Sequence, residues 1–184
     1  MRMRSWVPIT VLSLIVGIPW AGWQLFAYRH HLSLVPGEMG VWRVLDVSEE
    51  SWGFGPGGNE TGLLTYALPD ETRRRIEVEG VRYFEALPNR GGRDWRGRYE
   101  HWSQTPIDIG EQWGSSSDEG IKGWVSPGIG DYLDRYGFGI RIDPKIERSV
   151  NEALFSPGSF YAYGRIGIII VAPAQGRVYY AYNG

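Results

Sequence analysis

Apolar residues along this chain form one long unbroken run, two helical stripes and several short alternating runs, and each kind predicts a different element. The long run comes first. Positions 7–28 hold 22 residues without a charge, between Arg2 and Arg4 before them and Arg29 after them. At about 1.5 Å per residue such a run crosses a bilayer core. The pattern predicts a transmembrane helix over 1–28, a short membrane-proximal connector over 29–40 and one domain over 41–184. Pro8 suits a first turn, Pro19 predicts a kink, and Trp6, Trp23 and Tyr28 suit the two lipid–water interfaces. A cleaved secretory signal is the competing reading, but Pro19, Trp20 and Trp23 stand where a cleavage site needs small residues, which favours an uncleaved signal anchor. Arg2, Arg4 and the initiating amine outweigh Arg29, so the positive-inside rule puts the protein in the plasma (inner) membrane with its domain outside the cytoplasm; the reversed topology is the alternative.

Beyond the connector the periods shorten. Val41, Arg43, Leu45 and Val47 alternate with their neighbours as a first strand. Residues 48–62 read as a long turn, and 63–68 as a second strand. Pro69 and Asp70 start a helix running to about Leu87, with Ile76, Gly80, Tyr83, Phe84 and Leu87 on one stripe and Gly80 allowing close approach to a sheet. Positions 121–125 and 138–142 read as strands, with a short helix over 129–136 between them. Asp143 and Pro144 form an N-cap and first-turn pair for a second long helix ending near Phe155, with its stripe at Ile146, Val150, Ala153 and Leu154. Three strands close the chain at 160–164, 167–172 and 177–182, joined by short connections that favour hairpins. Ile168 to Val171 are apolar without interruption, the mark of a central strand covered on both faces. The expected fold class is α+β: a transmembrane helix, then an antiparallel sheet with two amphipathic helices packed on one of its faces.

Composition narrows the function classes. The 156 residues after the anchor suffice for a single core. They carry 17 basic and 21 acidic side chains, a balance that argues against nucleic-acid binding. Cysteine is absent, which removes disulfides and thiolate chemistry. Arginine makes up nearly all the basic charge, with Lys122 and Lys145 the only lysines, so an Arg cluster carries less functional weight here than it would elsewhere.

Candidate chemistry is thin. Gly53, Gly55 and Gly58 have G-x-G-x-x-G spacing, but Pro56 interrupts them and no βαβ unit surrounds them, so they read as a glycine loop. Asn59, Glu60 and Thr61 form a sequon. His101 with Asp108 or Asp118 and one of Ser115 to Ser117 has the residue types of a triad without a nucleophile elbow. One domain histidine without cysteine makes a poor zinc set, and Asp118 with Glu119 lacks a calcium loop. No cofactor and no catalytic residue is assigned, and the chain reads as a non-enzyme more readily than as an enzyme.

The most unusual stretch is 88–120, where periodicity fades and Arg90, Arg93, Trp95, Arg96, Arg98, Trp102 and Trp113 gather. Exposed Arg and Trp anchor protein interfaces; aromatics can equally pin a long loop to its own core. The leading expectation is a non-catalytic, membrane-anchored, protein-binding module of the cell envelope, of immunity or accessory type, whose partners are the bilayer and an envelope protein. A glycan-binding or glycan-cleaving domain and a structural subunit of a membrane complex are the alternatives.

Overall fold

The computed structural model describes residues 7–52, 59–88, 95–109, 113, 128–135 and 140–183, with the side chains of the first helix described from Gly17 onward. The elements run α1 (Val7–Ser33), β1 (Val44–Trp52), β2 (Asn59–Ala67), α2 (Asp70–Glu79), α3 (Val81–Glu85), β3 (Ser103–Gln104), α4 (Ile129–Leu133), α5 (Pro144–Phe155), β4 (Phe160–Tyr163), β5 (Gly167–Ala172) and β6 (Arg177–Asn183). The six strands make one sheet in the order β1-β2-β6-β5-β4-β3, every neighbouring pair antiparallel. The expected α+β class with an antiparallel sheet is therefore present.

Strand alternation divides the apolar residues between two cores. Leu64, Tyr66, Ile169, Val171, Val178 and Tyr180 point to one face, where Ile76 of α2, Tyr83 and Phe84 of α3, and the segment carrying Leu34, Val35 and Met39 cover them. Leu63, Ile168, Ile170, Tyr179 and Ala181 point to the other, beneath α4 and Val150, Ala153 and Leu154 of α5. Every residue of β5 is buried, and each large aliphatic side chain so enclosed stabilises the fold by about 1.5–3 kcal/mol.

This layering corrects the expectation that both long helices share one face. A central strand that is apolar on both sides needs a cover on each, so α2 and α5 lie on opposite faces. The first helix is also shorter than its stripe implies. Gly80 takes φ +60° and ψ −136°, a conformation that favours glycine, and it ends α2 and starts α3 instead of easing an approach to the sheet. The expected turn over 48–62 is partly strand, since β1 and β2 pair from Val44 with Tyr66 out to Trp52 with Asn59. Residues 140–142 are not strand, although Ile140 and Ile142 still pack on the second core. The strand expected over 121–125 lies outside the described residues. Asp143 does cap α5, its Oδ1 accepting from the Lys145 N–H at 2.7 Å.

The N-terminal helix is continuous through Pro19 and is 27 residues long, or roughly 40 Å. Among the described residues no helix is long and apolar enough to cross a membrane. The more apolar half of the uncharged run, before Gly17, lies outside the described side chains, and from Gly17 to Ser33 the sequence is diluted by Pro19, Gln24, Arg29, His30 and His31. The stretch expected as a connector, 29–40, completes the helix and then enters the first core: Leu34, Val35 and Met39 are buried, and Thr72 of α2 donates to the Met39 carbonyl at 2.9 Å.

Candidate functional site

The C-terminal turns of α1 are fastened to the sheet by tyrosines. A helix end leaves its last carbonyls without backbone donors, and here side chains from the domain supply them. Tyr66 of β2 donates to the His31 carbonyl at 2.9 Å, and Tyr99 donates to the Leu34 carbonyl at 2.6 Å. Tyr28 returns a bond from the helix to the Trp42 carbonyl. Burial drives the Tyr66 and Tyr99 phenols well above their ordinary range, so both remain neutral donors at any physiological pH.

A second tie depends on strand register. Gly62 of β2 stands between Glu49 of β1 and Tyr182 of β6. A Cβ at Gly62 would lie 2.5 Å from the Tyr182 ring; without one, the ring crosses β2 and its hydroxyl donates to Glu49 Oε1 at 2.8 Å. Glu49 Oε2 lies 3.2 Å from His31 Nε2 on α1. The chain from β6 through Glu49 to His31 thus spans three strands and the helix. Partial burial raises the Glu49 carboxyl, but the hydrogen bonds with His31 and Tyr182 outweigh it and hold the group below its ordinary range. His30 next to it is held below the usual imidazole range by partial burial, then by Arg96 and His31, which leaves it neutral near pH 7.

Above these ties α1 stands away from the domain. Ile18, Trp20, Trp23, Leu25 and Phe26 are 55–67% exposed, and at about 100° per residue they spread over roughly 220° of the helix surface, the remaining arc holding Gln24 and Tyr28. Two clefts flank its foot. One, about 820 Å³, is walled by Leu25 and Tyr28 of α1 and by Val44, Leu45 and Val47 of β1. The other, about 530 Å³, lies between Trp23, Phe26 and His30 on the helix and Glu49, Glu50, Ser51, Glu60, Arg96 and Tyr182 on the domain.

The sequence-derived Arg and Trp set divides across the molecule. Trp95 is half-buried against the first core, and the Arg96 guanidinium lies 5.3 Å from its ring centroid and faces the 530 Å³ cleft. Arg98 lines a crevice of about 20 Å³ with Pro36, Glu38, Leu87 and Trp102, room for one water and not for a ligand. Trp102 stacks on Phe84 at 4.2 Å between centroids. Trp113 is only 1% exposed and lies under the opposite face, its Nε1 donating to the Tyr163 hydroxyl at 2.7 Å. Arg90 and Arg93 lie outside the described residues. The structure therefore brings Trp95, Arg96, Arg98 and Trp102 to the side of the sheet that α1 occupies, and Trp102 and Trp113 do core work.

Other candidate chemistry does not assemble. His101 is exposed at φ +56°, while Ser115 to Ser117, Asp118 and Glu119 lie outside the described residues. Among the described residues no group of three or more His, Asp or Glu side chains is arranged to hold a metal ion. Sequence reasoning missed His31, Glu49, Gly62 and Tyr182, because what joins them is strand register. No protein-family model, curated protein or solved structure matches the chain.

Proposed function

We propose that the chain is a single-pass membrane-anchored domain, held on the extracytoplasmic side of the plasma (inner) membrane, that acts as a non-catalytic protein-binding module of the cell envelope. The observation that carries this reading is α1. A helix on a water-soluble domain keeps a wide polar face, whereas Ile18, Trp20, Trp23, Leu25 and Phe26 spread exposed apolar side chains over roughly 220° of this one. Transfer of these five side chains into a bilayer would be favourable by on the order of 10 kcal/mol. The uncharged sequence that continues N-terminally from Gly17 supplies the remaining length, and Arg2 and Arg4 set the orientation.

The protein-binding part of the reading rests on Trp95, Arg96 and Arg98 beside the foot of the helix, since Trp and Arg are the residue types that dominate interface energetics. Such a surface, fixed to the anchor by Tyr66 and Tyr99, would meet a partner at a set height above the membrane. The test is external protease applied to intact and then permeabilised cells carrying a tag after Gly184. Loss of the tag once only the outer barrier is opened supports the reading. Protection until the inner membrane is broken overturns its extracytoplasmic part, and release of the whole chain by alkaline carbonate overturns the anchor.

A further inference from the structure

We propose that the open edge of β1, with Trp42 beside it, lies on the headgroup layer of a zwitterionic phospholipid bilayer, a claim that rests on the reading of α1 as the anchor in that same bilayer. β1 is the outermost strand of the sheet, so its outer row of N–H and C=O groups meets no other strand among the described residues. The path of α1 fixes where this row points. Followed towards its N-terminus, the chain leaves the first core at Leu34, meets Tyr66 of β2 at His31 and then passes β1. Val44 to Val47 wall one of the clefts at the helix foot, and Glu49 and Ser51 wall the other, both opposite helix residues between Trp23 and His31. The strand therefore runs across the foot of the helix, and it is the part of the sheet nearest to the uncharged run.

A tyrosine sets the height. A helical side chain leans towards the N-terminus and covers the turn before its own Cα. The Tyr28 hydroxyl, which donates to the Trp42 carbonyl, thus marks a level near Gln24 and Leu25, inside the uncharged stretch. Trp42 itself is 67% exposed and Val47 42%, and an amphipathic indole suits the boundary between lipid and water. The outward N–H groups of β1 can donate to phosphate oxygens there, which covers an edge that would otherwise invite pairing with another strand. Charge does not select the lipid. Asp46, Glu49 and Glu50 on the strand, with Glu60 across from it, are nearly offset by Arg29, Arg43 and Arg96, and Glu49 is engaged by His31 and Tyr182. An edge so close to balance gains nothing from an anionic surface, and a zwitterionic one suffices.

The experiment places a nitrobenzoxadiazole label at Ser51→Cys, near the far end of β1 from Trp42, in the full-length chain reconstituted into phosphatidylcholine vesicles. Labels at Trp20→Cys on α1 and at Ser156→Cys serve as references; Ser156 is exposed and precedes β4, on the far side of the sheet from β1. Lipids carrying a nitroxide beside the headgroup should quench the label at 51 and leave that at 156 bright. Trp42→Ala, at an exposed side chain, should shift the docked-to-free ratio by roughly tenfold and release the quenching at 51, while Trp42→Phe retains it. Addition of phosphatidylglycerol should change nothing. Equal brightness at 51 and 156, quenching at 51 that Trp42→Ala leaves intact, or quenching only when phosphatidylglycerol is present overturns the docking. Lipids with a nitroxide deep in the acyl chain separate the two claims: a quenched label at 20 with an unquenched one at 51 overturns the docking alone, while an unquenched label at 20 overturns the anchor and the docking with it.

Discussion

Gly62 is the position where one methyl group reports on the joint between helix and sheet. In Gly62→Ala the new Cβ would lie 2.5 Å from Tyr182 Cε1, 2.7 Å from Cζ and 2.8 Å from the hydroxyl, all shorter than any stable carbon contact. The strand backbone at Gly62 accepts alanine, so the Tyr182 ring is what must move. Swinging it away breaks the bond to Glu49, a loss of about 1.5 kcal/mol at the low end for a charged acceptor. It also disturbs the stacking on Tyr180, where the centroids are 5.5 Å apart, for about 0.5–1 kcal/mol more. Alanine returns about 0.4–1 kcal/mol by restricting the unfolded chain. The net destabilisation is about 1–2 kcal/mol, a fall in Tm of roughly 2–8 °C for a domain of this size. Thermal melts of the full-length chain in detergent, followed by tryptophan fluorescence, measure it. The decisive control is Tyr182→Ala, where no ring opposes the methyl and Gly62→Ala should be neutral or slightly stabilising. Equal destabilisation in both backgrounds would refute the crossing of β2 by Tyr182.

Three further outcomes follow from the geometry. The Glu49 carboxyl is held below its ordinary value of 4.5, so its contribution to stability is present above that pH and is lost as pH falls through the folded-state value; wild type and Glu49→Gln should differ at neutral pH and converge as acidification protonates the folded-state carboxyl in pH-dependent melts. Trp113→Ala empties the second core and orphans the Tyr163 hydroxyl, and should destabilise by about 3–5 kcal/mol in denaturant titrations, an outcome that an interface role for this indole does not predict. Asp143→Ala removes the cap of α5 and should lose about 1 kcal/mol in the same titrations.

The sequence was most legible where one period governed a whole element. The Asp143 and Pro144 pair located the start of α5, and the apolar run at Ile168 to Val171 identified a central strand before any pairing was known. That same run required cover on two faces, and helical stripes at Ile76 and Val150 were the available covers, so their division between faces follows from residues already in hand. The break at Gly80 was hidden because the apolar stripe continues through it, and only the backbone angle separates a glycine inside a helix from one that ends it. The joint was illegible for a different reason: His31, Glu49 and Tyr182 are brought together by the pairing of Gly62 with both neighbours, which no local pattern encodes. Aromatics in 88–120 drew attention by composition, yet composition does not distinguish Trp102 stacked on Phe84 from a tryptophan offered to a partner.

The central claim is that α1 emerges from a fixed joint into lipid. The absence of cysteine makes each engineered thiol unique, so nitroxide labels can be placed at Trp20→Cys and Leu25→Cys, with Glu79→Cys as a reference on the domain, in full-length chain reconstituted into vesicles. Power-saturation measurements then compare collisions with oxygen, which partitions into lipid, against a nickel chelate, which stays in water. The account predicts that oxygen dominates at positions 20 and 25 and the nickel chelate at 79; nickel-dominated collisions at 20 and 25 would contradict it.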